Sequence, residues 1–197
     1  KSGQIWILQA TLGDYATNSW SLYVHPEANN WKNNLTIYDP ADVLNLDDIL
    51  PQHSFDAPNE DHILLTTAWT ADVQHYVSTG GKAILMQSGS SVLPAIATGF
   101  WQEAAHLLYP HPIWDNFPYD GYVAENFYHL ATEYAFDTNA LSEILLPQTT
   151  INPVMRRLHT RLFTASDYVL DIELGKGRLL ATTLRLHGGL GDQVRGL

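Results

Sequence analysis

The stretch Thr70–Gln87, TADVQHYVSTGGKAILMQ, decides the fold expected of this chain. Thr70 suits a helix N-cap, because its hydroxyl can accept from a free amide of the first turn. Val73, Tyr76 and Val77 then fall on one helical face. Gly80-Gly81 closes the helix, since glycine tolerates the backbone that a helix end requires. Lys82–Gln87 is a short apolar run of strand length, and so is Asp61–Thr67 before the helix. Strand, helix, Gly-Gly, strand is a βαβ unit, which implies parallel strands and a right-handed connection.

Outward from this unit, Asn34–Pro40 (NLTIYDP) reads as another strand, stopped at Asp39-Pro40. Gln4–Ala10 (QIWILQA) reads as the first strand, and SWSLYVHPEANNWKNN after it as an irregular or weakly helical connection. Val43, Leu46, Ile49 and Leu50 have the spacing of a short helix. Downstream, SSVLPAIATGFWQEAAHLLYP predicts further helix, with Pro94 near a start and Gly99 as a break. Pro110–Leu130 reads as a long ordered loop with a helical turn around Ala124–Leu130. Asp167–Leu186 carries a hairpin signal, two β-prone runs flanking Gly175-Lys176-Gly177. The pattern predicts a single α/β domain over residues 1–197. It would be a three-layer, mostly parallel flavodoxin-like sandwich ending in an antiparallel hairpin. Sites in such sheets lie beyond the carboxyl ends of the strands. Thr66–Thr70, Gln87–Ser91 and His187–Asp192 should gather there.

Composition narrows the function. Of 197 residues, 45% are hydrophobic, enough for a core. Ten Lys and Arg against 21 Asp and Glu give a net charge of −11, which disfavours nucleic acid and anionic membranes as partners. The chain has no cysteine, so it has no disulfide, thiolate nucleophile or Cys-held metal. No run is long and apolar enough to form a spanning helix, and a cytoplasmic location is expected. The start at Lys1 and the ending GGLGDQVRGL suggest a piece excised from a larger protein.

The turn after Lys82–Gln87, QSGSS, sits where α/β enzymes often place a nucleophile. It lacks the flanking glycines of G-x-S-x-G. Ser88 with His187 and Asp192 would make a serine hydrolase. The alternative, which we favour, is a turn whose Ser88 and Ser90 hydroxyls cap a following helix. The nine histidines are scattered, and none forms H-x-x-x-H or H-E-x-x-H. Asp115 and Asp120 near His111 could serve a cation, but ordinary loop hydrogen bonding accounts for them, and we expect no metal and no cofactor. Asp115, Asp120 and Glu125 share an aromatic-rich loop, so a glycosidase carboxylate pair is conceivable there. The glycine-containing GKGRLL and HGGLGDQ match no phosphate loop.

TADVQHYVSTGGKAILMQ resembles the helix, Gly-Gly, strand step of class I glutamine-amidotransferase-like domains. HPIWDNFPYDGYVAENFYHL and LGKGRLLATTLRLHGGLGDQVRGL are similar to the C-terminal region of large bacterial glycoside hydrolase family 2 (β-galactosidase-like) proteins. Together these stretches span about Asp61 to Leu197. In catalytic amidotransferases the turn carries a cysteine. Gln87-Ser88-Gly89 stands there instead, so the resemblance implies no glutaminase reaction. The catalytic glutamates of family 2 belong to a separate barrel domain, and none can be carried onto this chain. The resemblance implies a non-catalytic accessory domain in carbohydrate metabolism, its partners being the other domains of a glycoside hydrolase. Trp114, Asp115, Phe117, Tyr119 and Asp120 form the expected contact or substrate surface. A homo-oligomer is compatible with this function. A carbohydrate-binding module using exposed tryptophans is a further alternative.

Overall fold

The computed structural model describes residues 4–24, 34–44, 55–58, 61–99, 103–115, 123, 130–145 and 148–185. Eleven strands and two helices are present among them. The strands are β1 (Gln4–Leu12), β2 (Ala16–Val24), β3 (Leu35–Tyr38), β4 (Ile63–Thr66), β5 (Lys82–Met86), β6 (Ala95–Ala97), β7 (Ala104–Leu108), β8 (Tyr134–Phe136), β9 (Thr150–His159), β10 (Thr164–Leu174) and β11 (Gly177–Thr182). The helices are α1 (Ala71–Ser78) and α2 (Thr138–Ile144).

The parallel half matches expectation. β3, β4, β5 and β11 lie side by side, each pair parallel, with α1 connecting β4 to β5. Thr70 caps α1 by accepting from the Val73 N–H, and Val73 and Val77 are buried. The β10–β11 hairpin also forms, with Leu174 opposite Gly177. Of its two turn residues only Gly175 has positive φ (+61°), the pattern of a type II′ turn. The turn seats against the end of α1. The Lys176 N–H donates to the Ser78 carbonyl and the Arg178 N–H to the Gly81 carbonyl. The first of these bonds satisfies an acceptor that the helix end leaves open.

The expected three-layer α/β sandwich is not the structure. The chain is mostly β, and both helices contribute to one cluster on one face of a nine-stranded mixed sheet. That cluster holds Leu64, Leu85, Leu170, Ile172 and Leu179 with Val73, Val77 and Leu141. The alternating residues Leu65 and Met86 join Ile37 and Leu44 on the opposite face, as the two-residue strand period requires. Among the described residues no helix covers that face. Ala95–Ala97 and Ala104–Leu108 are strands, where the sequence predicted helix. β6 pairs antiparallel with β8, and β7 with β9. Their helix-favouring alanines yield to cross-strand pairing, a tertiary override of weak propensity. β9 carries Pro153, which lacks an N–H and lies opposite Leu170 beside a register shift, where a lost ladder bond is tolerated. β1 is not part of the main sheet. It forms a separate two-stranded sheet with β2, most of which, from Ser19 on, the sequence assigned to an irregular or weakly helical connection. The short helix expected around Val43–Leu50 lies mostly outside the described residues, as does the turn at Ala124–Leu130.

At the β7–β9 pairing His106 stacks on Tyr168, with ring centroids 5.8 Å apart. Burial, and then the nearby Arg157 guanidinium, hold the His106 imidazole below its usual pKa. Arg157 is only 4% exposed, and its Nε and Nη2 have no hydrogen-bond partner among the described residues.

Two outcomes are expected. A Cβ at Gly177 would strike the Val77 and Gly81 carbonyl oxygens. Gly177→Ala should therefore cost about 3 kcal/mol or more in urea denaturation, while Lys176→Ala, at an exposed turn position, stays within about 0.5 kcal/mol. Equal effects would mean that the turn does not seat on α1. The second concerns pH. Because the folded pKa of His106 is depressed, the unfolded chain binds its proton more readily. The contribution of neutral His106 is complete above about pH 6.5, its unfolded value, and is lost as pH falls below it. His106→Phe keeps a flat ring against Tyr168 and cannot protonate. It should lose less stability than the native chain between about pH 7.5 and about pH 5.5. Parallel losses would remove His106 as a contributor.

Candidate functional site at the carboxyl ends of the parallel strands

β3, β4, β5 and β11 run in one direction, so their carboxyl ends meet along one edge. Three described loops gather there: Asp39–Leu44 after β3, Thr66–Thr70 after β4 and Gln87–Ser91 after β5. The second and third are the expected pair. His187–Asp192 lies outside the described residues.

The Asp39–Leu44 loop is built around one buried carboxylate. Asp39 is 5% exposed. Its Oδ1 accepts from the Val43 N–H (3.0 Å) and the Thr67 hydroxyl (2.6 Å), and its Oδ2 from the Leu44 N–H (2.6 Å). A buried carboxylate is tolerated when its lone pairs are filled in this way. Asp39 thereby ties the loop after β3 to the loop after β4. Asp42 sits inside the turn with positive φ, which aspartate accepts more readily than most residues.

The Gln87–Ser91 loop is organised by Gln87, whose side chain is 3% exposed. Its Nε2 donates to the Gly89 carbonyl (2.7 Å) and the Leu93 carbonyl (2.8 Å), and its Oε1 accepts from the Leu93 N–H (2.7 Å). One amide thus holds both ends of the turn, and Gly89 at φ +84° allows the reversal. No helix follows. The chain runs through bends into β6, so the expected capping role of Ser88 and Ser90 is corrected: there is no helix for them to cap. Ser88 is exposed and borders two adjoining pockets, of about 140 and 350 Å³. The described residues lining them include no His, Asp or Glu. The bases sought for Ser88, His187 and Asp192, lie outside the described residues. The described lining consists of apolar side chains, hydroxyls, the Gln87 amide and Arg185.

The expected contact surface sits elsewhere. Trp114 is buried, and its indole N–H donates to the Tyr109 carbonyl. Asp115 is exposed at the end of a short 3-10 turn, Pro112–Trp114. Phe117, Tyr119, Asp120 and Glu125 lie outside the described residues. His111 caps that turn by accepting from the Ile113 N–H. Its Nε2 lies 3.3 Å from Asp171, which also receives both arms of Arg178 at 2.7 Å. Burial pushes the Asp171 carboxyl up, but Arg178 and His111 together hold it below its usual range. Among the described residues no group of three or more His, Asp or Glu is placed to hold a metal ion.

The sequence marked Asp39 only as a strand stop and Gln87 only as part of the turn where an amidotransferase carries its cysteine, and Thr183 and Arg185 were given no role. Gln87 adjoins the suspect serine, but only the fold shows that its amide reaches Leu93. Arg185 carries the plainest available signal, an arginine shortly after β11 in a chain of net charge −11.

No helix among the described residues is long and apolar enough to cross a membrane. No family model matches the chain, and no curated protein matches it. Among solved structures the chain is similar to the cytoplasmic protein STM1381 from Salmonella typhimurium LT2. Identity is 10%, with 96% of this chain and 89% of that chain covered and a TM-score of 0.41. A likeness of that degree assigns neither fold nor function.

Proposed function

We propose that this chain is a non-catalytic accessory domain of a glycoside hydrolase, joined to the rest of that protein through the β1–β2 hairpin. The observation that carries the proposal is the hairpin's exposure. Register places Trp6, Leu8, Leu12, Trp20 and Leu22 on one face. Trp6 is 58% exposed and Leu12 72% exposed. An isolated two-stranded hairpin is marginal in water, and a contiguous apolar face of this kind marks an interaction site. The glycoside hydrolase rests on the resemblance of Asp61–Leu197. The proposal includes a cytoplasmic location, where a chain without cysteine needs no oxidising compartment.

The carbohydrate-binding alternative draws on the same Trp6 and Trp20, which lie diagonally across one hairpin face. It predicts quenching of tryptophan fluorescence by oligosaccharides, whereas docking on a protein domain predicts a flat titration.

A fluorophosphonate probe, which traps activated serines, should leave Ser88 unlabelled; labelling there would establish a serine hydrolase. Trp6→Ser with Trp20→Ser should leave the melting temperature of the 197-residue chain unchanged, since both rings are solvent-facing. In the complete gene product the same pair should lower the melting temperature by several degrees, about 1–3 kcal/mol for buried aromatic anchors. No difference between the two settings would end the docking proposal.

A further inference from the structure

We propose that β7 is an acid-released edge strand. Protonation of His106 sets a second positive charge opposite the buried Arg157, and β7 then parts from β9 while the parallel half of the sheet stays folded. The device is separate from the hairpin surface and does not depend on the accessory-domain reading.

His106 and Arg157 are directly opposed in the β7–β9 ladder. Like charges in that position destabilise a strand pair. While His106 is neutral the pair holds one charge, and after protonation it holds two. Neither group has a counter-ion among the described residues to offset the second. The Arg157 Nε and Nη2 and the His106 Nε2 are buried without a hydrogen-bond partner. Buried polar groups are nearly always bonded, so this corner is strained before any proton arrives. The side chains around the pair bring no negative charge. Tyr168 stacks on the His106 ring from β10, and Ser166 stands opposite Arg157. His159 lies two residues from Arg157 on the same side of β9. It has its own carboxylate: Glu103 lies 3.8 Å from His159 and 3.7 Å from Arg161.

Arg157 cannot shed its proton, so relief must come from moving a strand. β9 is held by β10 along nearly its whole length, whereas β7 pairs with β9 alone. Of the five residues of β7 only Leu108 is buried, so its release gives up little apolar contact. Burial, and then Arg157, hold the folded His106 below its usual pKa. The released strand returns the ring to water and to its ordinary value. It therefore binds the proton more readily and gains population as pH falls below about 6.5.

The test is residue-resolved hydrogen exchange of the whole 197-residue chain, with protection taken relative to free peptide at each pH. Between about pH 7.5 and about pH 5.5, protection should fall by about threefold or more at Ala104–Leu108 and at the β9 amides bonded to it. β5 and β11 should keep theirs. His106→Phe should abolish the response. Arg157→Met keeps most of the bulk without the charge, and should reduce the response. It should also move the His106 pKa, followed by NMR, part of the way up, which a purely space-filling Arg157 would not do. The proposal is overturned by unchanged protection of β7, by an equal loss in β5 and β11, by a response that survives in His106→Phe, or by a His106 pKa that Arg157→Met leaves in place. The first two outcomes are read on the native chain and need no variant to fold.

Discussion

Every strand of the main sheet depends on how β10 divides its two edges. β9 occupies one edge along nearly its whole length, so β11 and β8 must share the other. Val169–Leu174 pairs with β11 and so joins the parallel half. Asp167, one residue past the shift in register, pairs with Phe136 of β8 and opens the antiparallel half. A strand enclosed in this way can be buried almost throughout, and from Ser166 to Leu174 only Glu173 is exposed. The branch point itself is polar. Asp167 is completely buried, receives Arg156 at 2.8 and 3.0 Å, and accepts from the Thr138 hydroxyl. Such a carboxylate is sustained only by its partners. Here the partners come from β9 and α2, so one group fastens three elements where the sheet changes character.

Legibility in the sequence followed the range of the interactions. Thr70, Val73, Val77 and Gly80-Gly81 act within a few residues of one another, and α1 was readable from them. The same holds for Gly175 in the type II′ turn. β6, β7 and β9 are different. They are short, alanine-bearing or interrupted by Pro153, and become strands because distant edges accept them. Gln4–Leu12 was readable as a strand but not as half of a free-standing hairpin, since an apolar run does not say what covers it. The turn at Ser88 was placed correctly at the carboxyl edge. Its following helix was not, because Gln87 folds the chain back by bonding Leu93.

The parallel half therefore keeps the edge geometry that gathers loops and forms pockets, without a base among the described residues that could drive proton transfer there. The hairpin is a separate two-stranded sheet with exposed apolar surface of its own. Under the accessory-domain proposal the hairpin would serve docking, apart from the loops gathered at the carboxyl edge.

Hydrogen exchange at the β1–β2 backbone tests this account most directly. In the 197-residue chain alone an isolated hairpin should exchange fast, being at the low end of local stability. In the complete gene product the same amides should slow by about a hundredfold or more, as a docked strand pair does. Equal exchange in the two settings would contradict the account.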